Sequence, residues 1–175
     1  MNSLQTLLPT TNKINIVDAA LSRISDKKNP ATVLIPQICC NTGYSESGFA
    51  KIIANKFPII KQNFEMLGKK NVLGKTQNII VSHDKVCDTT LIISNMVAQS
   101  GSKSNKNHRP INYGALCLCM YDIKNFITEN KKSQTSKIEI HSPKFGTGSS
   151  GGNWAFIEEL IHDIWTGIDV FIYTL

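Results

Sequence analysis

His141-Ser-Pro-Lys-Phe-Gly-Thr-Gly-Ser-Ser-Gly-Gly-Asn-Trp154 is the stretch on which the reading of this chain turns. It follows Lys137-Ile-Glu-Ile-His141, whose alternation predicts a strand, and precedes Trp154 to Trp165, whose apolar spacing predicts a helix. A strand feeding a Gly/Ser/Thr loop that opens a helix aims backbone N–H groups and a positive helix end at one point. That geometry suits phosphate oxygens. A flexible surface loop with a helix cap is the competing reading of any single Gly-rich loop.

A second loop of the same kind lies about a hundred residues upstream. Thr32-Val-Leu-Ile-Pro-Gln-Ile-Cys39 is the best buried-strand candidate, and it leads into Cys39-Cys-Asn-Thr-Gly-Tyr-Ser-Glu-Ser-Gly-Phe-Ala50. A helix is expected from about Ser47 to Asn55, with a Ser45 or Ser47 hydroxyl as its cap. Two strand–loop–helix units in one small α/β domain place two anion cradles at the carboxyl ends of strands, where such sheets bind ligands. The pair points to a diphosphate.

The remaining pattern alternates strands and helices. Lys13–Asp18 reads as a short strand, and a helical piece after Pro58 runs through Leu67. Gln77–His83 and Thr89–Val97 read as strands joined by a turn, and Ser100–Asn107 as a mobile polar loop. Ile111–Thr128 is the longest helical candidate. No internal repeat is present. This order implies one layered α/β domain with a parallel or mixed sheet, spanning residues 1–175, with 1–12 as a flexible leading segment.

Composition bounds the class. A chain of 175 residues, 41% hydrophobic and 18% charged, is an ordinary globule of single-domain size. No apolar run reaches transmembrane length, and Met1–Pro9 lacks the basic start and apolar centre of a secretory signal. A cytoplasmic protein is expected. The five cysteines lack both disulfide-framework and zinc-finger spacing, so reduced thiols and no metal are expected. The net charge of +6 comes from lysines scattered along the chain, with aromatics at 7%. That scatter argues against a nucleic-acid face, and it serves either a field favouring a small anion or a merely solvated surface. No cofactor and no oligomer are indicated.

The quoted residues resemble those of the macro domain family. Gly146-Thr-Gly-Ser-Ser-Gly-Gly-Asn-Trp154 is similar to that family's second ligand loop, Gly-x-Gly-Leu-Ala-Gly-Gly-Asp/Asn-Trp, and Asn41 to Ala50 is similar to its first. Leu73–Gln77, Ile93–Gly101, Arg109–Leu116 and Val170–Leu175 resemble further segments, so the likeness runs from about Lys13 to Leu175. Its flavour is that of ADP-ribose-1''-phosphate phosphatases, terminal ADP-ribose glycohydrolases and phage macro domains. The resemblance implies a three-layer α/β/α sandwich with a central mixed sheet of about six strands. The ligand it implies is ADP-ribose or a related NAD-derived nucleotide.

The resemblance also assigns residues. Asp18 takes the place of the aspartate that accepts from the adenine amino group, although the family's preceding glycine is Val17 here. Tyr173 either lays its ring against adenine or packs at the core rim. Ser47 and Gly48 on one side, and Gly146, Thr147, Gly148 and Ser149 on the other, clamp the diphosphate. The distal ribose lies between Asn41 and Gly43 on one side and Gly148, Ser149 and Ser150 on the other, with an Asx turn as the alternative role for Asn41. Gly151 counts as a further ligand-binding glycine of the second loop.

Chemistry is less determined. The lysine and aspartate of the terminal glycohydrolases correspond to Asn95 and Ser150, so a covalent lysine mechanism is not expected. Glu46 and His141 are the remaining candidates for acid–base catalysis. Glu46 as a solvated loop carboxylate and His141 as a loop brace are the structural alternatives. Two functions stay open: hydrolysis of ADP-ribose-1''-phosphate or an ADP-ribose adduct, and non-catalytic capture of ADP-ribose-type nucleotides.

Overall fold

Alternate residues of the central strands belong to two different apolar clusters, and that division produces three layers. On strand β2 (Ala31–Cys40), Val33 and Ile35 join one cluster while Leu34 joins the other; Leu91 and Ile93 separate from Ile92 in the same way on β4 (Thr89–Gln99). One face is covered by α1 (Ile16–Ile24), α2 (Gly48–Lys56) and α3 (Pro58–Leu67), through Ile16, Val17, Ala20, Ile53 and Ile60. The other is covered by α4 (Tyr113–Lys131) and α5 (Trp154–Ile164), through Leu116, Met120, Ile123, Ile157 and Ile161. Strands buried on both faces read as continuous apolar runs, as β2 and β4 do.

The computed structural model describes residues 5–7, 15–68, 72–131 and 137–174. Six strands form one sheet in the order β1-β6-β5-β2-β4-β3, where β1 is Gln5–Leu7, β3 Thr76–Asp84, β5 Lys137–Pro143 and β6 Asp169–Tyr173. All neighbours are parallel except β3 and β4, which form an antiparallel hairpin. The expected three-layer sandwich with a mixed sheet is therefore observed.

The pairing of β2 with β5 positions the site. They lie side by side and parallel, with Ala31 opposite Lys137 and Leu34 opposite Ile140. From β2 the sheet extends one way to β4 and β3, and from β5 the other way to β6 and β1. The loops leaving their carboxyl ends thus part in opposite directions and leave a crevice between them.

The leading part of the sequence folds differently from its reading. Ile16, Val17 and Asp18 are helical, because Asn15 caps α1 by accepting the Val17 N–H at 3.0 Å and Ile16, Val17 and Ala20 bury one helical face. The alternation of Lys13, Ile14, Asn15 and Ile16 mimicked a strand; Lys13 and Ile14 themselves lie outside the described residues. Gln5–Leu7, expected within a flexible segment, pair with Phe171–Tyr173, and the rest of 1–12 lies outside the described residues. The helix anticipated from Ile111 begins at Tyr113, since the Asn112 side chain accepts the Ala115 N–H and Ile111 bridges to Gln99. No helix among the described residues is long and apolar enough to cross a membrane.

Candidate functional site

The two Gly-rich loops, about a hundred residues apart in sequence, meet across one open cleft of about 410 Å³. Ser45, Ser47, Gly48, Phe49 and Ala50 form one wall, and residues 143–150 form the other. Gln37, Ile38 and Gln99 contribute from β2 and β4, and Thr174 from the chain just beyond β6. That volume lies within the usual range of small-ligand sites.

The first wall is a helix N-terminus without a side-chain cap. Ser47 occupies the N-cap position with extended backbone, but its hydroxyl lies 3.1 Å from that of Ser45 and makes no bond to the first turn of α2. The expected hydroxyl cap is therefore not formed, and the first-turn amides keep their donors. With the positive end of the helix dipole, they suit an anion.

The second wall is held open by glycine geometry. Gly146 has φ +79°, and a Cβ there would lie 2.9 Å from Ile111 Cδ1 and 3.0 Å from Ile157 Cδ1. No L side chain meets both conditions at low cost. The amides of Gly151 and Gly152 are engaged inside the loop by Gly148 O and Gly146 O, at 3.0 and 2.7 Å. Those of Gly146, Thr147, Gly148 and Ser149 have no hydrogen bond among the described residues. Ser150 anchors the loop by donating to Gln99 Oε1 at 2.7 Å, and its carbonyl accepts the Ile111 N–H at 3.0 Å.

Among the described residues, side-chain charge in the cleft has one sign. Lys144 is the single ionisable side chain among the lining residues, and its ammonium sits 5.4 Å from the centre of the Trp154 ring. Among the described residues, none that lines the cavity carries a carboxylate side chain to repel an anion.

Of the residues anticipated from sequence, Ser47, Gly48, Gly146, Thr147, Gly148, Ser149 and Ser150 come together here. Asn41, Gly43, Gly151, Asp18 and Tyr173 do not line the cleft. The Asn41 side-chain oxygen, Oδ1, accepts the Gly101 N–H at 3.0 Å, tying the first loop to the end of β4. Gly43 forms an isolated bridge with Cys40. Gly151 backs onto His108 and Arg109, where a Cβ would lie 3.0 Å from the His108 carbonyl oxygen. Asp18 is exposed in the first turn of α1 rather than at a strand end.

Both acid–base candidates lie off the cleft. Glu46 borders a smaller neighbouring recess of about 180 Å³ and is paired with Lys61, whose hydrogen bond and charge hold its carboxyl below the ordinary value. His141 is buried on β5, with Nδ1 2.7 Å from the Tyr173 hydroxyl and Nε2 3.3 Å from Glu139 Oε2. Glu139 is also held by Arg23, whose Nε and Nη2 donate to its two oxygens at 2.9 Å each. Burial pushes the Glu139 carboxyl up, but the hydrogen bonds and charges of His141 and Arg23 outweigh it and leave it at about 2. Burial likewise pushes the Tyr173 phenol up to about 12. This network braces β5 and β6 beneath the cleft.

Sequence reading missed Gln37, Phe49, Gln99, Lys144 and Thr174 as lining residues. A glutamine interrupting the apolar run of β2 was the available signal for Gln37. Gln99 and Thr174 carried none, because only the sheet order brings strand ends together.

At the level of sequence, no family model and no curated protein matches the chain. Among solved structures, a Streptomyces coelicolor macrodomain protein superposes with TM-score 0.62 at 21% identity, over 85% of this chain and 94% of that one. The chain has the macrodomain fold. A Bacteroides thetaiotaomicron protein of unknown function matches with TM-score 0.70 and 26% identity, over 89% of this chain and 93% of the other. The Thermosipho africanus DarTG protein, solved in complex with ADP-ribose, matches with TM-score 0.59 and 18% identity, over 81% of this chain and 38% of that one.

Proposed function

We propose that this chain belongs to the macro domain family and binds ADP-ribose, or a close derivative, in the cleft between residues 45–50 and 143–150. The observation that carries the reading is the convergence of two independent sets of backbone donors on one cavity whose described lining residues carry a single side-chain charge, that of Lys144. A diphosphate is the ligand group that uses both walls at once. The ADP-ribose complex of the Thermosipho africanus relative supports the choice of nucleotide.

The site favours capture over turnover. Hydrolysis needs a group to activate water or accept a proton close to the reacting atom. Glu46 is engaged outside the cleft and His141 is buried beneath it. Lys144 is the one titratable side chain among the described residues of the walls. A binding module that holds ADP-ribose-type nucleotides is therefore the proposed role.

Isothermal titration with ADP-ribose, beside a phosphate-release assay on ADP-ribose-1''-phosphate, tests this. Saturable binding without release supports the proposal. Release of phosphate at a steady catalytic rate would make the protein an enzyme and overturn it.

A further inference from the structure

Beneath the first wall, a chain of side-chain amides runs across three strands with a fixed direction. Gln77 donates to the Asn63 carbonyl at 3.2 Å, Asn95 donates to Gln77 Oε1 at 3.1 Å, and Gln37 donates to Asn95 Oδ1 at 2.6 Å. The second N–H of Gln37 Nε2 donates to the Tyr44 hydroxyl at 3.0 Å, and Tyr44 in turn donates to the Ala50 carbonyl at 2.9 Å. Both ends of the chain are backbone carbonyls, which only accept. Turning any amide over would set acceptor against acceptor, so the polarity is locked.

That lock leaves Gln37 Oε1 at the root as an acceptor with no donor among the described residues. Gln37 is 2% exposed, yet it lines the cleft. A buried acceptor left unmatched costs free energy, and native structures rarely carry one without a use.

Resting on the reading of the cleft as a nucleotide site, we infer that Gln37 is a specificity-determining residue whose Oε1 accepts a hydrogen bond from a ribose hydroxyl of the ligand. The position selects the partner. Gln37 is joined through Tyr44 to Ala50, in the first turn of α2, the turn that lines the cleft and to which the proposed function assigns the phosphates. In a nucleoside diphosphate sugar, the donors nearest the phosphates are ribose hydroxyls. The cost of burying Oε1 is already borne by the free protein, so the new bond is not exchanged for one with bulk water. A ligand offering only acceptors at that point gains nothing, and selectivity arises from the difference.

The experiment titrates wild type and Gln37→Met with ADP-ribose, with ADP-ribose analogues each lacking one ribose hydroxyl, and with ADP. Wild type should bind one of the deoxy analogues roughly tenfold more weakly than ADP-ribose. Gln37→Met should bind those two ligands equally. Retention of the wild-type preference by Gln37→Met overturns the inference while leaving the nucleotide site standing. Should Gln37→Met not fold, the crystal structure of wild type with ADP-ribose decides: a ribose hydroxyl on Oε1 supports the role, and any other neighbour there overturns it. Absence of ADP-ribose binding to wild type would remove the site reading and this inference together.

Discussion

Ser150 donates its hydroxyl to Gln99 Oε1 at 2.7 Å, joining the second Gly-rich loop to the end of β4 across 51 positions of sequence. The contact fixes one cleft wall against the strand that also carries the Ala98 carbonyl used by Asn112. Loop position, rather than loop composition alone, is what makes the donor amides converge.

Replacing Ser150 by alanine removes that anchor and leaves Gln99 Oε1 unmatched. Stability should fall by about 1 kcal/mol, and ADP-ribose should bind several-fold more weakly. Urea denaturation and calorimetric titration on the same preparation check both. Unchanged affinity would mean that the loop holds its shape without the anchor.

Two glycines of the same loop should respond in opposite ways. Gly146→Ala forces a Cβ against Ile111 and Ile157 at positive φ, so about 1–3 kcal/mol of stability should be lost. Gly148 has open space around its would-be Cβ and φ outside the left-handed region, so Gly148→Ala should leave the melting temperature within a degree or two. That Cβ stands on a cleft wall, where it obstructs close approach of phosphate, and affinity should drop. Melting and titration of both variants separate the two effects.

Glu139 makes stability depend on pH in a defined window. Its folded carboxyl sits at about 2, below the value of about 4.5 for an ordinary glutamate. A depressed carboxylate stabilises fully above its unfolded pKa and loses that contribution as pH falls through its folded one. On the order of 3 kcal/mol should therefore disappear between about pH 5 and pH 2. Denaturant titrations at several pH values, compared with Glu139→Gln, test this; the variant should lose most of that slope.

Glu46 is expected to be dispensable. Its pairing with Lys61 is solvent-exposed, and such pairs contribute little. Glu46→Ala should keep ADP-ribose affinity within about twofold. A large loss in the titration would move Glu46 into the site.

The loops were legible because the same strand–glycine loop–helix pattern occurs twice in one small α/β chain, which a surface loop with a helix cap does not require. Trp154 to Trp165 was legible too: Asn153 caps the helix by accepting the Ala155 N–H, and Ile157, Ile161 and Ile164 share its buried face. α1 was misread because the brief alternation over Lys13–Ile16 cannot distinguish a strand from the start of a helix that buries Ile16, Val17 and Ala20. The error displaced Asp18 with it. The Arg23–Glu139 pair spans 116 positions, and the Gln37–Asn95 bond spans 58. Neither has a local signature, since both depend on which strands and helices become neighbours. His141 drew attention for its place before the loop, yet its side chain turns to Tyr173 and Glu139 instead of the cavity.

Calorimetric titration of the purified protein with ADP-ribose tests the central claim most directly. Saturable binding at one site per chain, abolished by Gly148→Val with folding intact, is the predicted result. No heat of binding at ligand concentrations up to the millimolar range, from protein that melts cooperatively, would contradict it.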